Sequence, residues 1–408
     1  MKRPIAISLS PNTQNSDILA SLSILFSPWK VIDGDSVRLL EQWFHQFFDA
    51  SFAVSFVSGR GALYAILKSL GIGEGDEILL QSFTCVAVPN SVIATGAVPI
   101  YVDINNSLTI NIKELEKKIT QKTKAIIVQH TFGIPADINR IMEIAKKHKI
   151  KVIEDCAHSL GIEYLGKKLG SFGDAAFFSF GRDKCFSSVF GGVALTNNET
   201  LGKKLQIFQK QQGNIPFFWT IQQLLHPISF FFILPLYNFF SLGKVILVIL
   251  QSFNLLSFPV TKEEKSAKMS KNLLKRMPNG LAYLAFLQLG KIKNYNKRRK
   301  DISKVYLSAL DKSEFKIPCQ KQLAFLRFPI FSEKRDKIIF SLKRKGIYVG
   351  KWYSEVIDPK GVDFEKIYYR AGSCPNAEFL AKRIINLPTY PLMTTKDAKN
   401  ITEIINNA

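Results

Sequence analysis

Three short stretches hold residues whose types and spacing could do chemistry. From Gly170 to Gly192 the chain reads GSFGDAAFFSFGRDKCFSSVFGG, where an apolar, strand-like run from Ala175 to Phe180 delivers Ser179 and then Lys184 into a glycine-bounded loop. Flanking β-structure fixes such a lysine while the loop leaves its amine reachable, a situation that suits Schiff-base formation. A lysine alone proves nothing, since a solvated loop residue is the ordinary alternative. Upstream, KVIEDCAHSLG (Lys151 to Gly161) ends an apolar strand on Glu154 and Asp155. Ligands of open parallel α/β sheets gather at the carboxyl ends of strands, so an acid there is placed to meet one. The third stretch, AVSFVSGRGALYAILKSLG from Ala53 to Gly71, carries a strand into a Ser58-Gly59-Arg60-Gly61 turn that opens a helix with Leu63, Ile66, Leu67 and Leu70 at helical spacing. Free amides at a helix start bind phosphate. An amine for a carbonyl, a carboxylate to keep a pyridine nitrogen protonated and a cradle for phosphate are together what pyridoxal phosphate requires.

These residues need a sheet to hold them. Between Ala53 and Thr196 strands are predicted at 53–57, 77–80, 99–103, 125–129, 151–154, 175–180 and 193–196, with helices at 61–70, 86–95, 112–119 and 138–148. The alternation predicts an α/β fold with a mostly parallel sheet covered by helices on both faces. A helix from Ser36 to Phe48, with Val37, Leu40, Trp43, Phe44 and Phe47 on one stripe, precedes it. His130 closes the strand ending at Gln129, where ligands gather, and stands open between a site residue and a satisfied structural histidine. Beyond residue 262 one long helix is expected over 276–306, then strand, helix and strand over 323–349 with the helix at 335–345, and two closing helices separated by INLPTYPLMT.

The order and spacing of these pieces resemble the DegT/DnrJ/StrS family of pyridoxal-phosphate sugar aminotransferases. The likeness runs through SGRGAL, GEGDEILLQSFTCVAVPNSVIATGAVPIYVDI, TKAIIVQHTFGIPADI, IEDCAHSLGIEYLGKKLGSFGDAAFFSFGRDK, RMPNGLAYLAFLQL and CPNAEFLAKRIINLPTYPLMT, most of the chain. It implies the fold-type I aminotransferase architecture with a smaller α+β C-terminal domain, and pyridoxal 5'-phosphate as cofactor. By this resemblance Lys184 carries the cofactor, Asp155 partners its ring nitrogen, and Ser179 with the amides of Gly59 and Arg60 holds the phosphate. His158 stands where a glutamine touches the ring hydroxyl, a bond that neutral imidazole also makes. Arg60 replaces a small hydroxyl residue, Cys85 a stacking aromatic ring for which Phe83 is a candidate substitute, Leu274 an asparagine that reaches the neighbouring subunit, and Trp352 a histidine before Tyr353. His130 and Tyr390 are candidates for contact with substrate. The resemblance further implies an amino-acid donor, glutamate, a keto-sugar acceptor linked to a nucleotide, a homodimer and a place in envelope or surface polysaccharide synthesis. The alternative is a membrane-associated, cofactor-binding regulatory or scaffold protein with little turnover.

A chain of 408 residues with 47% hydrophobic content is long enough for a large domain and a smaller lobe. The division expected is a cofactor-binding domain over 1–210, an apolar insertion over 211–262, connecting helices over 263–310 and a small domain over 311–408. Five cysteines without a CxxC pair point to a reducing compartment and give no metal-ligand pattern. No secretory signal is read at the start, where Pro4, Pro11 and the polar run Asn12 to Asp17 interrupt any apolar core. A net charge of +22 invites nucleic acid or anionic lipid. No nucleic-acid motif accompanies it. An apolar run from Ile215 to Val260 does. Pro216, Gln222, Pro227, Pro235 and Gly243 are expected to divide it into segments of about 10 to 15 residues, shorter than the ~20 that span a bilayer. The expectation is a shallow hairpin in one leaflet, at the cytoplasmic face of the membrane, with nearby lysines on the headgroups.

Overall fold

The computed structural model describes residues 3–319 and 324–408, so Lys2 and the first residue of the strand expected from Leu323 lie outside the described residues. Its centre is a seven-stranded sheet built from β1 (Phe52–Phe56), β2 (Glu77–Gln81), β3 (Val98–Val102), β4 (Thr123–Gln129), β5 (Lys151–Asp155), β6 (Ala175–Ser179) and β7 (Gly192–Thr196), in the order β1-β7-β6-β5-β4-β2-β3. β7 runs antiparallel to both its neighbours, and the other pairings are parallel. Nearly every strand side chain is buried, as expected of a sheet covered on both faces. The predicted strands agree with these to within two residues, and the helices Ser36–Phe48 and Ile138–His148 have the expected ends.

Register explains which side chains reach the cavity. Asp155 lies opposite Gln129 on β4 and Phe177 on β6, and Ser179 lies opposite Gly192 on β7. Alternation along β6 turns Phe178 and Phe180 onto the rings of Phe44 and Phe48, with centroids 4.9–5.7 Å apart, and leaves Phe177 and Ser179 on the opposite face. Burying aromatic rings of this size stabilises the strand by roughly 2–3 kcal/mol each. Glu154 and Asp155 likewise part company. Glu154 accepts the amides of Gly170, Phe172 and Gly173 at 2.7–2.9 Å and so ties down the loop before β6, while Asp155 faces the cavity.

Three expectations are corrected. The apolar run contains one 20-residue helix, α1 (Phe217–Leu236), that passes through Pro227 and Pro235, followed by α2 (Leu242–Ser252). An internal proline costs about 3 kcal/mol. Burial of Leu224 in the core of the body, and of Phe230 and Ile233 in a smaller cluster with Leu256 and α2, offsets it at roughly 2 kcal/mol each. Among the described residues α1 is long and apolar enough to cross a membrane by length and composition. The long helix expected over 276–306 breaks at Gly290 into Asn279–Leu289 and Ile292–Ala309. The INLPTYPLMT segment is no simple turn, because Ile384–Pro388 (β9) pairs antiparallel with Arg327–Phe331 (β8) and is fully buried. Pro388 at the end of this short run and Pro391 beyond it look like a turn until a partner strand captures the run.

Candidate active site

A cavity of about 510 Å³ opens at the carboxyl ends of the central strands. Ser58, Gly59, Arg60, Asp155, His158, Ser179 and Lys184 line one side; Arg327, Trp352 and Tyr353 from the last quarter of the chain line another; His226 and Phe230 of α1 with Leu247 and Gln251 of α2 close it.

Lys184 is pinned through its backbone. Its amide donates to the carbonyl of Gly181 at 3.1 Å, its carbonyl accepts from Asn12 Nδ2 at 2.6 Å, and the next carbonyl, of Cys185, accepts from the buried guanidinium of Arg299 at 2.6 Å. The side chain stays free to act. Its Nζ stands 2.9 Å from His158 Nε2. The other ring nitrogen, Nδ1, accepts the amide of Phe132 at 3.3 Å, so the proton of neutral His158 sits on Nε2, on the side of Lys184. Burial, reinforced by the charges of Lys184 and Arg327, pushes the His158 pKa well down and keeps the ring neutral. A neutral imidazole with a fixed Nε2–H is a donor to any oxygen that settles beside Lys184.

Asp155 is enclosed. Burial raises its pKa, against the opposing pull of the Ala157 amide, which donates to Oδ1 at 3.0 Å, and of Lys184 and His130. Such a carboxylate gains most from a cation brought next to it in the cavity, which is what a protonated pyridine ring would supply. The cradle for an anion is equally specific. Ser58 caps the helix Gly59–Ser69, its Oγ accepting the Gly61 amide at 3.0 Å and donating to the Leu273 carbonyl at 2.8 Å. The cap contributes about 1 kcal/mol and leaves the first-turn amides of Gly59 and Arg60 without intrahelical acceptors. Gly59 must be glycine here. A Cβ would stand 2.8 Å from that of Ser179, and one at Gly192 would stand 2.5 Å from the Gly59 nitrogen. This close approach brings Ser179 onto the open amides. The residues present therefore fit pyridoxal phosphate at each of its functional groups.

The cavity gathers Lys184, Asp155, His158, Ser179, Gly59 and Arg60. The Arg60 guanidinium, however, ion-pairs with buried Glu264 and donates to the Pro259 carbonyl at 2.9 Å, so its charge is committed away from a phosphate. Two candidates are not brought to the cavity. His130 is fully buried, its Nδ1 accepting the Ala136 amide at 3.2 Å and its Nε2 donating to Glu154 at 3.1 Å, so both ring nitrogens are spent away from the cavity. With three amides and His130 already on it, that carboxylate has its four acceptor sites filled and none left for a metal, although Cys156 lies close by. Tyr390 packs against the main hydrophobic core, away from the cavity lining. Phe83 does not replace the missing ring at Cys85, since it packs edge-on to Phe132 and Tyr353 while Cys85 itself lines the cavity.

Sequence reasoning missed Arg327, Asp183 and His226. Arg327 is the sole charge within the apolar FLRFPIF run, and an arginine that a buried strand retains is a signal of a partner inside. Its guanidinium pairs with Asp183 and lies 3.6 Å from the centre of the Trp352 ring. Burial would raise the Asp183 pKa, but Arg327 and Lys184 outweigh it and hold the carboxyl below its ordinary value.

The sequence matches the model of the DegT/DnrJ/EryC1/StrS aminotransferase family over residues 12–219 and 251–406, which leaves 220–250, most of α1 and α2, unmatched. It is 29% identical over 408 aligned positions to MJ1066, an uncharacterised protein of Methanocaldococcus jannaschii, covering 97% of this chain and 95% of that one. A GDP-perosamine synthase of Escherichia coli O157:H7 is 38% identical over 188 residues, 46% of this chain and 52% of that enzyme. Among solved structures, the PLP form of a putative sugar aminotransferase, Spr1654 of Streptococcus pneumoniae, superposes with a TM-score of 0.74 at 20% identity, covering 100% of this chain and 98% of that one.

Proposed function

The chain belongs to the DegT/DnrJ/EryC1/StrS aminotransferase family and is a pyridoxal-phosphate-dependent aminotransferase, and from that premise we propose that it moves the amino group of glutamate onto a keto-sugar carried by a nucleotide. The observation that carries this reading is the pairing of Lys184 with a neutral, tautomer-fixed His158 beside a buried Asp155 and an open helix start. Bound cofactor supplies the carbonyl that takes up the amino group and a ring that spreads the electrons of the breaking C–H bond.

The residues divide the remaining work. Asp155 would hold the proton on the ring nitrogen, and its burial would make that pair strong. Ser179 and the amides of Gly59 and Arg60 would hold the phosphate, and the Nε2–H of His158 would donate to the ring hydroxyl. Lys184 Nζ is the base that would take the proton from the donor's α-carbon and return it in the amination of the sugar. Mixing loaded enzyme with glutamate should convert the cofactor spectrum within one turnover, and a mass-spectrometric screen of nucleotide-linked keto-sugars identifies the acceptor. A spectrum unmoved by glutamate and by other amino acids would count against turnover.

We further propose that the enzyme is a homodimer and rests on the cytoplasmic face of a membrane, serving envelope or surface polysaccharide synthesis. Support for the membrane comes from α1, α2 and the residues after them, whose outward side chains Phe218, Phe232, Phe240, Val248 and Phe253 are exposed, Phe240 by 91%. So much clustered apolar surface is covered by lipid or protein in working conditions. Lys244, Lys262, Lys265, Lys268 and Lys271 flank it, each contributing ~1 kcal/mol against an anionic surface.

A further inference from the structure

We propose that Arg327 is the binding residue for the α-carboxylate of the amino donor, an inference that rests on the transamination reading above. Among the described residues five cations line the cavity: Arg60, Arg182, Lys184, Lys265 and Arg327. Arg60 is held by Glu264, Arg182 donates to the Ser257 carbonyl at 2.6 Å, Lys265 to the Lys360 carbonyl at 2.9 Å, and Lys184 faces His158. Arg327 differs from these. Its side chain is 2% exposed, and its hydrogen bonds run through one nitrogen, Nη2, to the carboxylate and, at 3.5 Å, the carbonyl of Asp183. Its Nε is buried without a partner.

A guanidinium has five N–H donors in a planar fork, and a buried one with donors unspent is a receptor for a planar anion. The fork is held rigid from two directions, by the Trp352 ring against its face and by Asp183 at one edge. Rigidity of this kind spares the entropy that a loose arginine would lose on binding. Asp183 is also the chain neighbour of Lys184, so the anion receptor is tied to the residue that the donor's amine displaces. An α-amino acid has its carboxylate one carbon from that amine. The acceptor sugar brings no such group at its reacting carbon, and in its presence Asp183 alone balances Arg327. The pair therefore suits a site that admits an anionic and an uncharged reactant in turn.

The test compares L-glutamate with 4-aminobutyrate, which keeps the amine and the distal carboxylate but lacks the α-carboxylate, and adds calorimetric binding of 2-oxoglutarate to the enzyme loaded with pyridoxamine phosphate. Wild type should convert glutamate at least ~100-fold more efficiently than 4-aminobutyrate, as expected for one charge-assisted fork. Arg327→Gln should erase most of that preference and weaken 2-oxoglutarate by ~30-fold or more, Arg327→Lys should fall between, and cofactor absorbance should match wild type in both. A preference for glutamate that survives in Arg327→Gln, or 2-oxoglutarate binding unchanged in Arg327→Lys and Arg327→Gln, would overturn the assignment. Equal losses for both amines would overturn it too, by assigning Arg327 to the framework. Wild type that binds 2-oxoglutarate through Arg327 yet shows no spectral change with any amino acid would uphold the carboxylate subsite and instead refute the transamination reading.

Discussion

At the scale of single residues the site was legible where a side chain carries its own chemistry next to a turn. Lys184, Asp155 and Ser58-Gly59 announced themselves through strand ends and glycines, and the cavity collects them. His130 also follows a strand end and stood open between a site residue and a structural histidine; its ring is turned onto Glu154. Arg327 and Asp183 lie 144 residues apart and meet only in three dimensions, so no local pattern could join them. Two predictions belong here. Asp155→Asn, which keeps size but removes the charge, should lower the rate of the glutamate half-reaction by ~100-fold or more in stopped-flow absorbance while the cofactor stays bound. The second concerns pH. His158 has a folded pKa below its unfolded value of about 6.5, so the unfolded state takes up protons that the folded state refuses. Its contribution to stability is complete above about pH 6.5 and is lost as pH falls below it. Asp155, with a raised pKa, has the opposite slope in a more acidic window. Thermal melts from pH 7.5 to 5.5 should therefore drop for wild type, and less steeply for His158→Gln.

At the scale of elements, short apolar runs flanked by turn signals predicted the mostly parallel sheet with little error, since each strand there is buried on both faces and bounded by glycines and polar caps. Elements whose existence depends on distant partners were harder to read. β9 forms because β8 lies beside it, and α1 continues through two prolines because its buried face packs on the body. The unmatched segment 220–250 is also more than an appendage. His226, Phe230 and Leu247 face the cavity, and Ser257, just beyond, holds Arg182. Replacing 217–258 with a short polar linker should consequently alter substrate affinity as well as any membrane contact, which a comparison of KM values would read. The close packing at the helix start makes a sharper prediction. Gly59→Ala forces a Cβ onto Ser179, and equilibrium dialysis should find the cofactor held at least ~10-fold more weakly, with the fold retained by circular dichroism.

At the scale of the whole molecule, a charge of +22 and an exposed aromatic face act together. Substituting outward residues spares the cavity, so Phe218→Glu with Phe232→Glu and Val248→Glu should release the protein from anionic vesicles in a flotation assay and leave the glutamate half-reaction within ~2-fold. Retained flotation, or a shift from dimer to monomer in light scattering, would instead assign that face to protein contact. The account as a whole stands on Lys184 as the residue that joins cofactor and proton transfer. The most direct measurement is borohydride reduction of the loaded protein followed by peptide mass spectrometry, with the absorbance response to glutamate recorded in parallel for wild type and Lys184→Ala. We expect the cofactor mass on the peptide containing Lys184, a rapid spectral change in wild type, and loss of both in the variant, with the half-reaction slowed by ~1,000-fold or more. A reducible adduct on another lysine, or a Lys184→Ala protein that responds to glutamate at the wild-type rate, would contradict it.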